Sequence, residues 1–172
     1  MKKAIVVIDM QKDFIDGSLG TKEAVQMLPR LVEKLAQESK NPEVDLFFTQ
    51  DTHEENYLQT QEGKHLPVEH CIRGTKGWEF PAELSPYVQK AKAIVEKNTF
   101  GSTKLPTLLI EYKAIELCGL CTDICVVSNA LLLKASYPEK NIHVDAQCCA
   151  GTTPNMHVKA LDVMQVCQVE VR

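Results

Sequence analysis

Short apolar runs alternate along this chain with longer segments of helical period, and few folds accept that pattern. Residues 4–8 form a β-branched run that ends at Asp9, and Gly17-Ser-Leu-Gly20 then breaks the chain. From residue 21 to about 40, Ala24, Leu28, Leu31, Val32 and Leu35 recur at intervals of three and four. That spacing predicts an amphipathic helix with Thr21 as its N-cap. Further strands are predicted at 45–49, 91–95, 114–118, 142–144 and 168–171. Helices are predicted at 103–112, at 122–136 with Val126, Val127, Ala130, Leu131 and Leu133 inward, and at 154–166. Near-continuous apolar strands separated by helices predict a parallel sheet covered on both faces, an α/β fold. The 172 residues suit one domain, 1–172. Residues 51–80 are polar, with Gly, Pro and His, and read as a long functional loop.

Composition excludes several partners. A net charge of −4 with no basic run argues against nucleic acid. No apolar stretch approaches the roughly 20 residues of a membrane span. The opening residues carry the charges of a signal peptide, but their apolar run is short and ends in Asp9. A first strand is the better reading, and a cytoplasmic location is expected. Seven cysteines, an odd and clustered set, suit reduced thiols rather than a disulfide framework.

The richest stretch is Cys118-Gly-Leu-Cys-Thr-Asp-Ile-Cys125, where a strand runs into a helix. Unpaired N–H groups and the positive helix end favour thiolate over thiol at such a place. Ligands of open parallel sheets bind beyond the carboxyl ends of the strands. There the pattern gathers Asp9 after strand one, Asp51 and His53 after strand two, Lys97 after strand three and Cys125 after strand four. Asp9 can serve as a base and Lys97 can stabilise a thiolate. Asp51-Thr-His53, with Glu62, His65 and His70 downstream, offers oxygen and imidazole donors suited to zinc, manganese or iron. Asp13 reads as support for the first turn and Trp78 as packing. The sequence names no partners for His143 and His157.

Two readings from other classes stand beside a cysteine enzyme. Cys118, Cys121 and Cys125 are spaced C-x2-C-x3-C, as in a thiolate metal or redox module. A non-catalytic binding protein could use the same fold, although it has no need of an ionisable trio.

The chain resembles the isochorismatase-like cysteine hydrolases, and among them the nicotinamidases. The matching pieces are Val7-Ile-Asp-Met-Gln-Lys-Asp-Phe14, Thr49-Gln-Asp-Thr-His53, His70-Cys-Ile-Arg-Gly-Thr-Lys-Gly77, Lys97 followed by Phe100, and Gly119-Leu-Cys-Thr-Asp-Ile-Cys-Val126. The resemblance implies a three-layer α/β/α domain with a six-stranded parallel sheet. It implies an Asp9–Lys97–Cys125 triad, a cis peptide near Leu120–Cys121, and an oxyanion hole from the backbone N–H groups of Cys121 and Cys125. It implies a divalent metal, zinc before manganese or iron, on Asp51, His53, His70 and either Glu62 or His65. Phe14, Phe100 and Leu120 are the expected pocket walls. The implied reaction is hydrolysis of a small amide, nicotinamide first and another small amide or carbamoyl compound second. Two departures stand out. Leu66-Pro-Val-Glu-His70 lacks the tryptophan nicotinamidases carry there, and the segment after Lys97 offers one aromatic. The apolar helices leave room for a homo-oligomer.

Overall fold

The structure is a computed structural model and describes residues 2–172. Six parallel strands stand in the order β3-β2-β1-β4-β5-β6. They are β1 (Lys3–Ile8), β2 (Val44–Asp51), β3 (Ala93–Lys97), β4 (Ala114–Leu120), β5 (Asn141–Ala150) and β6 (Glu170–Val171). The helices in chain order are α1 (Lys12–Ile15), α2 (Lys22–Glu38), α3 (Gln61–His65), α4 (Ser85–Val88), α5 (Lys104–Leu108), α6 (Val127–Ser136) and α7 (Pro154–Val166).

The central strands are apolar on both sides because both sides are covered. Residues 4–8 of β1 are fully buried, as are Ile115 and Leu117 of β4. Chain order fixes which helix covers which face. The connection through α2 moves leftward in the sheet, and those through α5, α6 and α7 move rightward. Right-handed crossovers therefore place α2 on one face and α5, α6 and α7 on the other. The Thr21 hydroxyl accepts from Ala24 N at 3.1 Å, so the expected N-cap is present. Ala24, Leu31 and Leu35 of α2 are buried in the core, with Leu28 and Val32 packed partly against it.

Several boundaries differ from the sequence reading, each for a local reason. β3 lies two residues later than expected, because Lys92 N bonds to Leu46 O and starts the pairing there. β5 is ten residues long and β4 seven, the pair absorbing an irregularity between Leu117 and Gly119. The predicted helix at 103–112 is five residues long. The helix after β4 opens with a π-helical turn, Thr122–Val126, before α6 begins. Leu131 is half-buried rather than a core residue.

Between α2 and the sheet lies a buried charged cluster that the sequence did not announce. Glu116 of β4 pairs with Lys3 at 2.9 Å and with Lys34, and accepts from His143 Nε2 at 2.8 Å. Lys34 also reaches Asp145 at 2.8 Å. Burial opposes the charge on Glu116, yet His143, Lys34 and Lys3 outweigh it and hold the carboxyl well below its usual range. A carboxyl depressed in the folded state stabilises the fold above its unfolded pKa, near 4.3, and loses that contribution as pH falls. Glu116→Gln is expected to cost about 1–3 kcal/mol at pH 7, because it removes the one buried carboxylate shared by His143, Lys34 and Lys3 and leaves Lys3 to Glu38 and Lys34 to Asp145. Urea unfolding checks this, and the difference between variant and parent should shrink at acid pH.

Candidate active site

The carboxyl ends of β1, β2, β3 and β4 converge on one cavity of about 1170 Å³. Register explains the convergence. Asp51 is the last residue of β2 and lies beside Lys97, the last residue of β3. Both belong to the strands rather than following them, as the sequence had suggested. Alternate residues share a side, so Thr49 with Asp51, and Val95 with Lys97, face the same way. Asp9 directly follows β1 and adopts φ 45°, a left-handed conformation that non-glycine residues seldom take. Gly119 has φ 119°, and a Cβ there would lie 2.1 Å from Ile8 O. Glycine thus lets β4 pass against the end of β1, just before Asp9. The peptide Leu120–Cys121 is cis, as the resemblance implied.

Lys97 is the hub. Its Nζ lies 2.6 Å from Asp9 Oδ2, 3.5 Å from Cys125 Sγ and 3.5 Å from Asp51 Oδ1. All four residues are buried. Thr49 Oγ1 donates to Asp9 Oδ1 at 2.6 Å and accepts from Asp9 N at 3.1 Å. Burial pushes the Asp9 carboxyl up, against the pull of Lys97. The acids around Lys97 overcome its burial and hold it as an ammonium. The Cys125 thiol is also pushed well up, first by burial and then by the charge of Asp9, which together outweigh Lys97. Burial and the neighbouring carboxylate thus oppose the thiolate that the helix end and Lys97 favour.

A second set of donors stands beside the first. The donor atoms of Asp51, His53 and His70 lie within 4.8 Å of one another. His53 Nε2 is 3.0 Å from Asp51 Oδ2, and His70 Nε2 is 3.6 Å from it. Glu62 Oε1 is 3.7 Å from His53 Nε2 and 3.6 Å from His70 Nε2. His65 is exposed and hydrogen-bonds through Nδ1 to Gln61 O at 2.9 Å, so Glu62 is the nearer fourth donor. His70 Nδ1 donates to Val68 O at 2.8 Å, which leaves Nε2 as the free donor toward the cluster. Burial opposes the charge of Asp51, but His53, His70 and Lys97 keep it well below the carboxylate range. The two imidazoles and the Asp51 carboxylate, with Glu62 beside the imidazoles, fit a divalent zinc-type ion.

The cavity walls agree in part with the sequence reading. Phe14 and Phe100 line it, Phe14 with its ring 5.4 Å from that of His70 and Phe100 half-exposed. Leu120 does not. It is buried in the core at the end of β4, and Cys121 and Ile124 form the wall there. Trp78 is turned away into packing, its Nε1 donating to Thr52 Oγ1 at 2.9 Å. The cysteines do not form a metal cluster. Among the described residues the only group able to hold an ion is Asp51, His53 and His70, which removes the thiolate-module reading.

Sequence reasoning missed the residues that hold these groups in place. Gln11 clamps Asp51 by accepting from its N at 2.7 Å and donating to its O at 2.8 Å. Asp13 accepts from Cys71 N at 2.8 Å, fixing the residue beside His70 and giving the expected support a definite partner. His157 Nδ1 is 2.7 Å from Thr122 Oγ1, and Asp123 accepts from Thr152 N at 2.8 Å, tying the π turn to the start of α7. Asn129 is fully buried. It donates to Cys125 O at 2.8 Å and Phe100 O at 3.1 Å, and accepts from Ser102 N at 2.8 Å. Only the spacing of Asn129 one helical turn after Cys125 hinted at that role.

The isochorismatase domain model matches residues 3–172. The chain belongs to the isochorismatase family, and is a hydrolase of that family. An uncharacterized isochorismatase family protein PncA of Bacillus subtilis (strain 168) is 32% identical over 143 residues, 76% of this chain and 78% of that one. The structure of nicotinamidase PncA from Bacillus subtilis superposes with a TM-score of 0.85 at 28% identity, covering 99% of each chain. Pyrazinamidase of Pyrococcus horikoshii in complex with zinc gives 0.83 at 24% identity over 100% of this chain and 99% of that one, a likeness of fold.

Asn129→Ala is expected to lower stability by about 2–3 kcal/mol, because it strips partners from two carbonyls and an N–H. Denaturant unfolding measures the loss.

Proposed function

We propose that this family member is a cysteine amidohydrolase of the nicotinamidase type, converting nicotinamide to nicotinate and ammonia. The observation that carries the reading is Lys97 Nζ at 2.6 Å from Asp9 and 3.5 Å from Cys125 Sγ, on the floor of a cavity that also holds the Asp–His–His donors. The similarity to nicotinamidase PncA supports the substrate class.

A thiol needs a base at the moment of attack, and Asp9 is that base. Its raised pKa makes it a better proton acceptor than an ordinary aspartate. Asp9 takes the Sγ proton while the sulfur attacks the amide carbonyl carbon. The tetrahedral oxyanion is held by the N–H groups of Cys121 and Cys125. Asp9 then returns the proton to the departing nitrogen, and ammonia leaves behind a thioester on Cys125. A water gives its proton to Asp9, attacks the thioester carbonyl, and releases the acid and the thiol. Lys97 stays an ammonium throughout and keeps the charge of the site near balance.

Asp51, His53, His70 and Glu62 would hold a divalent ion, zinc foremost. When bound, such an ion supplies a Lewis-acidic coordination point for a ring nitrogen. The residues' own contribution is orientation. They set one end of the substrate, so that the amide falls over Cys125. Phe14 gives that end an apolar wall.

A second small amide or carbamoyl substrate is the alternative. The observation in its favour is the segment before His70, where Leu66 and no aromatic lines the cavity.

Purified protein is expected to release ammonia from nicotinamide faster than from other small amides. Cys125→Ala should lower kcat at least about 10³-fold and Asp9→Asn roughly 10²–10⁴-fold, read in an ammonia-coupled assay. Unchanged activity in either variant contradicts the assignment. The kcat/KM profile should fall on the acid side through a value above the ordinary carboxylate pKa of about 3.9, because Asp9 must be ionised and burial raises it. A limb at or below that value overturns the role of Asp9. Chelator treatment should remove activity and zinc should restore it. Gln11→Ala should weaken metal retention roughly 10–100-fold by freeing Asp51, as measured by competition with a chromogenic chelator.

A further inference from the structure

Asp9 carries the proton of the proposed reaction, and its two carboxyl oxygens stand in different surroundings. Oδ2 meets the Lys97 ammonium at 2.6 Å as an ion pair and accepts no hydrogen bond of good geometry among the described residues. The same ammonium lies 3.5 Å from Cys125 Sγ, so Oδ2 is the oxygen on the side of the nucleophile. Oδ1 accepts from Thr49 Oγ1 at 2.6 Å. That hydroxyl in turn accepts from Asp9 N at 3.1 Å. β1 ends at Ile8 and the chain turns at Asp9 with φ 45°, so this N–H lies past the strand ladder and Thr49 serves in place of a strand partner. Thr49 is completely buried and does not line the cavity. It touches the reaction only through Asp9.

We propose that Thr49 is a positioning residue that reserves Oδ1 of Asp9 and thereby directs the transferred proton onto Oδ2. The inference deepens the reading of the site as a cysteine amidohydrolase and rests on it. A threonine hydroxyl has one proton to donate and two lone pairs that accept. The Asp9 N–H occupies one lone pair, and Oδ1 is the acceptor of the hydroxyl proton. A proton placed on Oδ1 would turn the hydroxyl round and leave its own proton buried without an acceptor. In a residue with no solvent exposure, an unpaired donor is costly. Oδ2 carries no such penalty.

The consequence is directional. As sulfur attacks, the Sγ–H bond breaks, its electron pair stays on sulfur and its proton goes to Oδ2 while the Sγ–C bond forms. The same oxygen returns that proton to the departing nitrogen and later takes one from the attacking water. Every transfer then runs on the side of Cys125. Without the hydroxyl, the proton is free to rest on Oδ1, away from the sulfur, and Asp9 ceases to act as a base toward Cys125. Shape alone does not supply this control. Valine keeps the branched side chain that strands favour but loses both hydrogen bonds, whereas serine keeps the hydroxyl.

Two rates measured on the intact protein test this: kcat for nicotinamide, and alkylation of Cys125 by iodoacetamide near neutral pH, followed on the Cys125 peptide, which needs no substrate. Thr49→Val and Thr49→Ala are each expected to lower both rates about 10-fold or more, with KM held within about threefold because Thr49 lies away from the cavity. Thr49→Ser should bring both back to within about threefold of the parent. In the Asp9→Asn background, Thr49→Val should change alkylation by less than about twofold, since the carboxylate it serves is gone. The proposal is overturned by alkylation as fast in both deletion variants as in the parent, by a serine variant as slow as the valine one, or by an undiminished effect in the Asp9→Asn background. A parent inert toward nicotinamide, with alkylation in the expected order, upholds Thr49 and removes the substrate reading. Nicotinamide turnover unchanged in both deletion variants upholds the substrate reading and removes Thr49.

Discussion

A buried ammonium against a buried carboxylate governs this structure. Lys97 and Asp9 meet at 2.6 Å, both buried, with Lys97 at the edge of the cavity. Isolated charges in such a place are prohibitive, and even a paired one is costly unless its remaining hydrogen-bonding groups are satisfied. The surroundings supply what is needed. Thr49 satisfies the other oxygen of Asp9, and Asp51 stands 3.5 Å from Lys97. The pair in turn constrains its neighbours. It needs β1, β2 and β3 in one register, and it sets the charge that Cys125 meets.

Charge accounts for the division of labour in the site. Asp9 and Asp51 are both buried and both near Lys97, yet their carboxyls are pushed in opposite directions. Asp9 has burial acting on it and one cation against it, and moves up. Asp51 has two imidazoles as well as Lys97, and moves down. A raised carboxyl suits proton transfer and a depressed one suits permanent ligation. Two aspartates a few ångströms apart are thereby fitted for the different tasks proposed for them. The rest of the fold serves this arrangement at a distance, through Gln11 on Asp51, Asp13 on the His70 segment and Asn129 on the Cys125 turn.

Much of this was legible in the sequence. Strand–helix alternation gave the parallel sheet, and the rule for strand carboxyl ends brought Asp9, Lys97 and Cys125 to one edge. Asp-x-His with a later His picked out the metal-type donors, because period two places alternate residues together. What was not legible depends on register and environment. Nothing local says that Lys97 ends a strand rather than follows it, since that rests on Lys92 bonding to Leu46. Leu120 read as a pocket wall by adjacency to Cys121, but its side chain is turned into the core. The helix-end argument for a thiolate took no account of burial and of Asp9, which push the Cys125 thiol the other way. Thr49 and Gln11 carry no signature, because their partners Asp9 and Asp51 lie 40 residues away in sequence, and Asn129 carries only its one-turn spacing after Cys125.

The account turns on a covalent bond between Cys125 and the acyl half of the substrate. Rapid acid quench of the enzyme during turnover of nicotinamide, followed by intact-mass and peptide analysis, tests it most directly. The account predicts a fraction of protein heavier by one nicotinoyl group, located on the peptide containing Cys125. Ammonia release from enzyme that never carries that group, and that continues when Cys125 is replaced by alanine, would contradict it.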